Sequence, residues 1–192
     1  MGLLPIRHAG DTPSGTNARG RAMQQIEAFT AEGVVSGAAA LPAGLRDSLD
    51  GAQPLQLDRA VWNLIAGGAA ERRGPANLEQ DDLIVLYVEG EDLPVHAQWH
   101  AVELEAGPYR ITGDLPTLPG YDPGRALSRP GGLFIQLRDV RIELVGVPDG
   151  GHIERAHALV NRYAVERVAS DMDFGFYFPG ARFLTGTGQP HG

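Results

Sequence analysis

Residues Leu55–Leu64 read LQLDRAVWNL, and residues Ile135–Leu144 read IQLRDVRIEL. In the first stretch Leu55 and Leu57 alternate with polar neighbours, the pattern slips by one residue at Asp58-Arg59, and Ala60, Trp62 and Leu64 resume it. The second repeats the design: Ile135 and Leu137, a slip at Arg138-Asp139, then Val140, Ile142 and Leu144. A period of two puts one set of side chains on one face of a strand. A slip of one residue keeps that set on its face only where the strand bulges. Two strands bulging at the same point indicate a duplicated unit, and bulged, bent strands are those that wrap small barrels.

The duplication extends outward. Ile26, Glu27, Ala28, Val35, Gly37 and Gly44 recur 76 positions later as Val102, Glu103, Leu104, Ile111, Gly113 and Gly120. Around the bulged strands the offset is 80, so a four-residue insertion falls in the loop near Arg125–Pro130. Each copy opens on a hairpin signal: IEAFTAEGVVSGAAAL (Ile26–Leu41) about Gly33, and AVELEAGPYRITGDL (Ala101–Leu115) about Gly107-Pro108. A helix over residues 18–29 competes, since Ala22, Ile26 and Phe29 have helical spacing, but the match to the second copy favours strand from about Gln25. LRDSLD (Leu45–Asp50) and GRALS (Gly124–Ser128) are expected to form single helical turns, and Gly67–Gln80 a long loop matched by VPDGGH (Val147–His152). DDLIVLYVEG (Asp81–Gly90) and HALVNRYAVERV (His157–Val168), at an offset near 75, make the last strand pair. The expected fold is mostly β: two tandem, internally duplicated barrel-like modules over 24–94 and 95–172, between an extended tail at 1–23 and an aromatic tail at 173–192. Units this small are marginal alone and should bury apolar surface against one another.

The glycine hairpin, the Pro/Gly turn, the Leu137-Arg138-Asp139-Val140 strand and the closing Leu159–Val168 stretch, LVNRYAVERV, together resemble the small SH3-like or Sm-like barrels of uncharacterised bacterial proteins. That resemblance implies nucleic-acid contacts at Arg138, at the Asp58-Arg59 turn, and at Arg162 and Tyr163.

Composition narrows the chemistry. With no Cys there are no disulfides, thiolate nucleophiles or Cys-ligated metals. All 16 basic residues are Arg, so a lysine Schiff base and the lysine of a phosphate-binding loop are excluded. A net charge of −8 opposes binding to a phosphate backbone. The longest strongly apolar run, Leu83–Val88, falls far short of the roughly 20 residues that span a bilayer. Neither does MGLLPIRHAGDTPSG hold an apolar stretch of signal-peptide length, so a cytoplasmic chain with no membrane span is expected. His96 and His100 fall on an alternating stretch, which sets them about 13 Å apart on a strand, too far to share an ion. The acidic clusters lack calcium-loop spacing, and no serine lies in a G-x-S-x-G turn. No catalytic, metal or cofactor residue is assigned.

The end of the chain, DFGFYFPGARFLTGTGQPHG, holds Phe174, Phe176, Phe178 and Phe183, four of the six phenylalanines, together with Tyr177. On an extended strand Phe174, Phe176 and Phe178 share one face, with Tyr177 opposite. This segment either seals the core or docks a protein partner by strand addition and pocket filling. MGLLPI at the start is a second possible anchor. These features point to a non-enzymatic assembly or scaffold component of a larger bacterial complex or homo-oligomer, using strand edges and the aromatic tail. The alternatives are a nucleic-acid or regulatory module, and a ligand pocket between the copies lined by Trp62, Trp99, Tyr109 or Tyr163.

Overall fold

The computed structural model describes residues 23–41, 45, 49, 53–67, 69–72, 74–90, 92–120, 122, 132–147 and 151–185. Strands β1 (Met23–Phe29) and β2 (Gly33–Ala40) form the first hairpin, in register from Met23↔Ala40 to Phe29↔Val34. Its turn is tied by Thr30, whose hydroxyl donates to the Gly33 carbonyl (3.1 Å). β3 (Leu55–Leu64) pairs with β2, and the short strands β4 (Glu71–Arg72) and β5 (Ala76–Leu78) lie on the far side of β3. After a 3-10 turn at Gln80–Asp82, β6 (Val85–Val88) returns to the free side of β1. The second half repeats this plan: β7 (Gln98–Ala106) and β8 (Tyr109–Thr117) form a hairpin, β9 (Phe134–Leu144) adds to β8, and β10 (His152–Asn161) adds to β9. β11 (Val165–Ser170) then pairs with β7, and β12 (Arg182–Thr185) runs parallel along β11.

The resulting order is β12-β11-β7-β8-β9-β10-β6-β1-β2-β3-β4, with β5 beside β4 on β3. One continuous open sheet thus stands where two closed barrels were expected. The reason is β10, whose last residues pair outward with β6 (Leu159↔Leu86, Val160↔Val85), so an edge of the second half is spent on an edge of the first. The expected bulges are present. β2 shifts register against β3 between Ser36 and Ala38, β8 shifts against β9 between Thr112 and Asp114, and Arg59 (φ 54) and Asp139 (φ 51) adopt left-handed backbone there. The facing residues must be glycine: a Cβ on Gly37 would lie 2.9 Å from the Leu57 Cβ, and one on Gly113 2.9 Å from the Arg138 carbonyl oxygen.

Three expectations about the connections change. The stretch read as a loop, Gly67–Gln80, contains β4 and β5. HALVNRYAVERV is two strands separated by a turn at Arg162–Ala164, and only the second matches β6: Val168 faces Leu104 as Leu86 faces Ala28. The first matches β5, since Ala158 faces Leu137 as Ala76 faces Leu57. The offset near 75 therefore gives way to one of 82. Leu45 and Leu49 have helical backbone and are buried, whereas Gly124–Ser128 and the tail at 1–22 lie outside the described residues.

Alternation along the strands feeds two apolar clusters. One gathers Ile26, Ala28, Val35, Leu45, Leu57, Leu83 and Leu86 from the first half, and the other Val102, Leu104, Ile111, Leu137, Ile142 and Val168 from the second. The halves also exchange side chains: Phe29, Val34, Ile84 and Val85 enter the second cluster, while Phe134 and Leu159 enter the first. At about 1.5–3 kcal/mol for each large apolar side chain fully buried, this exchange binds the halves far more firmly than the short β10–β6 ladder alone. Polar contacts complete the seam. Arg155 makes a forked pair with Glu27 (2.6 and 2.8 Å), and the Tyr109 hydroxyl donates to the Thr30 carbonyl (2.9 Å). The His157 ring nitrogen lies 2.9 Å from the Val88 carbonyl, and the Asn161 amide donates to Leu83 O (3.0 Å).

Candidate interaction surface

The chain leaves β11 through a series of turns. Asp173 Oδ1 accepts from the Gly175 N–H (2.8 Å), the Tyr177 N–H donates to Phe174 O (2.8 Å), and the Ala181 N–H donates to Phe178 O (3.2 Å). An extended strand would present Phe174, Phe176 and Phe178 together; the turns instead send Phe174 and Phe178 into the second core cluster and leave Phe176 outside. Phe174 stands edge-on to Tyr177 and to His100, with ring centres 5.6 Å away in each case. Phe183 on β12 is partly buried against the same cluster. Of the five aromatic residues assigned to a partner, Phe174 and Phe178 are thus core residues, and the exposed part is Phe176 with an edge of Tyr177.

Arg162 joins this group. It is 1% exposed, and its Nη2 donates to the Phe176 carbonyl (2.6 Å) while its guanidinium lies 5.5 Å from the Tyr163 ring centre. Such a guanidinium fixes the Phe174–Phe178 turn from beneath and is not presented to a phosphate. Arg138 is likewise engaged: its Nε and Nη2 donate to Asp114 Oδ2 (3.1 and 3.0 Å), and it lies 4.3 Å over the Trp99 ring. Among the residues that the resemblance assigned to nucleic acid, Tyr163, at 58% exposure, and the Asp58-Arg59 turn stay open. The structure therefore brings Arg162 and Tyr163 together with Phe176 and Tyr177, and sets Arg138 apart with Trp99 and Asp114.

Next to Tyr177 is a groove of about 350 Å³ lined by Pro94, His96, Leu115, Pro116, Ile135 and Gln136 among others, with Leu118 at its side. Leu118 is 79% exposed, and Val95, between two lining residues, is 88% exposed. Burial pushes the Tyr177 hydroxyl above its ordinary value, partly offset by the Arg162 charge, so the phenol beside the groove stays neutral. Tyr177 and Leu118 thus line a groove, while Tyr163 and Phe176 stand exposed beside Arg162, which with Phe174 and Phe178 is buried beneath the turn. Pro94 and Leu118 escape sequence reasoning because they sit in connections, and the alternation that placed Val95 and His96 on a strand does not hold, since β7 begins at Gln98.

A second, shallower groove of about 540 Å³ crosses β7, β8 and β11 and is lined by Glu103, Asp114, Asp139 and Asp171. Among the described residues no group of three or more His, Asp or Glu side chains is placed to hold a metal ion, and no helix is long and apolar enough to cross a membrane. Tyr109, considered above as lining a pocket between the copies, is buried in the seam. No family model, curated protein or solved structure matches this chain.

Proposed function

We propose that the chain is a non-enzymatic assembly or scaffold component: two duplicated modules fused through one seam, carrying a single partner-binding surface at the aromatic end of the second. The observation that carries this reading is the exposure of Tyr163 and Phe176 beside buried Arg162, together with a groove lined by Tyr177 and exposed Leu118. Large apolar side chains gathered at one place on a charged surface mark interaction sites. Aromatic anchors set beside a pocket are the usual source of binding energy in protein interfaces. A protein partner that inserts an apolar side chain beside Tyr177 fits this surface. The engagement of Arg138 and Arg162, with the net charge of −8, argues against nucleic acid.

The test is capture from the native lysate by the full chain, compared with a Tyr163→Ser/Phe176→Ser form and with a control altered at Arg141 on the far strand β9. A partner retained by the full chain and by the control, and lost from the double variant at unchanged melting temperature, supports the reading. Equal capture by all three, or a salt-sensitive mobility shift with single-stranded RNA that ignores these substitutions, overturns it.

A further inference from the structure

The seam between the two halves is head-to-tail, and this has a consequence at the ends of the sheet. β10, the fourth strand position of the second half, pairs with β6, the fifth of the first. The same two edges therefore recur outside the seam: β11, which carries β12, corresponds to β6, and β4 with β5 corresponds to β10. A joint of this kind closes into rings or runs on into filaments unless something stops it.

Residues at the free ends differ from those in the seam in one consistent way. Phe29, Val34, Ile84 and Val85 are the side chains that the first half buries in its neighbour. Their counterparts in the second half are Glu105, Arg110, Glu166 and Arg167, all charged. Phe29 faces Val34 across the first hairpin, and Glu105 faces Arg110 at the same place in the second. There the charges pair with one another: Arg110 lies 3.4 Å from both Glu103 and Glu105, and Arg167 lies 3.0 Å from Glu105. At the other end Leu159 and Phe134, which the second half buries in the first, correspond to exposed Asn77 and Pro54. The strand that would match β10 is interrupted there by Gly74 (φ 66) and Pro75. Finally, β12 covers the outer edge of β11, pairing Val168↔Phe183 where β6 pairs Leu86↔Leu159.

We infer that the chain carries a built-in stop against its own seam: β12 and the Glu105–Arg110–Glu166–Arg167 face close one end of the sheet, and the broken β4–β5 strand blunts the other, so that copies do not add edge to edge. Charged side chains, proline and a covering strand are the means by which sheets avoid templating further strands. Burying these charges in a second copy's core would strip them of water, a cost that their pairing with one another repays only in part. This inference stands apart from the partner surface proposed above, which lies on other residues.

The test uses light scattering after size exclusion on three forms: the full chain, a chain ending at Ala181, and that shorter chain with Glu105→Phe, Arg110→Val, Glu166→Ile and Arg167→Val. Each is also made with Asn77→Pro. The Asn161 N–H reaches outward to Ile84 O, so Leu159 two residues before it, and Asn77 in its place, point the same way. The proline removes an outward donor and leaves the β3 pairing in place. The stop predicts that the substituted short chain assembles into dimers and larger species, and that Asn77→Pro returns it to 20.5 kDa units less the truncation. It predicts that the full chain shows no assembly that responds to Asn77→Pro. An assembly of the full chain that Asn77→Pro dissolves overturns the inference. So does a stripped chain that stays monomeric, or one whose aggregates ignore the proline. Should the fourfold form fail to fold by circular dichroism, Glu105→Phe/Arg167→Val in the short chain gives the same readout. An assembly of the full chain indifferent to Asn77→Pro leaves the stop intact and speaks for the other surface.

Discussion

Replacing Phe174 by alanine separates the two roles that the aromatic end of the chain combines. Phe174 has no exposed surface, and it meets Tyr177 and His100 edge-on at 5.6 Å. Removing a buried phenylalanine costs about 3–5 kcal/mol, the transfer of the ring plus the cavity left behind. Edge-to-face contacts add about 0.5–1.5 kcal/mol for each pair, which places this site toward the upper end. In a chain of this size 1 kcal/mol moves the melting temperature by about 2–4 °C, so Phe174→Ala should lower it by roughly 6–20 °C. Phe176→Ala, two residues away and 41% exposed, should stay within about 0.5 kcal/mol of the parent. Thermal unfolding followed by far-ultraviolet circular dichroism reads both. A Phe174 variant that melts with the parent, or a Phe176 variant that falls as far as it does, would refute the assignment of these neighbours to core and surface.

Three further outcomes follow from the geometry. Gly113→Ala puts a Cβ 2.9 Å from the Arg138 carbonyl oxygen, where only backbone can give way, and should cost about 1–3 kcal/mol in urea unfolding. A double-mutant cycle on Glu27→Gln and Arg155→Gln should return a coupling of about 1–3 kcal/mol, since the forked pair is largely shielded (18% and 12% exposed), whereas exposed pairs give about 0.2–1; a value near zero would mean the seam does not depend on it. Burial drives the Tyr109 hydroxyl well above its ordinary value. The fold therefore keeps the neutral phenol, its contribution is whole below about pH 10, and it is lost as pH rises further and the unfolded chain ionises. Stability measured from pH 8 to 11 should fall at the top of this range, and fall less in Tyr109→Phe.

The bulged strands were legible because a bulge leaves a mark in the chain: the alternation breaks at Asp58-Arg59 and again at Arg138-Asp139, whatever lies across the sheet. The hairpins were legible for a similar reason, through Gly33 and Gly107. What periodicity could not convey was pairing between distant strands. β10 reads as an ordinary strand, and nothing in HALVN says that its end reaches β6 and keeps the sheet open. β4 and β5 are two and three residues long, too short for alternation to register. The aromatic end misled in a specific way: DFGFYF alternates as a strand does, but Asp173 and Gly175 set a turn that leaves Phe176 outside while Phe174 and Phe178 enter the core. Arg162 was read as a ligand for phosphate because a sequence cannot show that its guanidinium is consumed by the Phe176 carbonyl.

The two copies also show why matching positions need not share a role. Phe29 and Glu105 occupy the same place in the same hairpin, and Ile84, just before β6, matches Glu166 at the start of β11. In the first copy that place faces the core of the second; in the second it faces water and neighbouring charges such as Arg110 and Arg167. The strand alone does not determine whether the residue is phenylalanine or glutamate, since its own ladder is satisfied either way. The deciding factor is what stands on the far side, and a head-to-tail pair necessarily offers two different far sides to the same surface. Divergence between the copies should therefore concentrate at the seam-facing positions, and it does: inward positions such as Ile26 and Val102, or Leu57 and Leu137, keep their character, while Phe29, Val34, Ile84 and Val85 all become charged. Had the second copy retained those apolar residues, the chain would carry a second sticky edge with no second half to cover it.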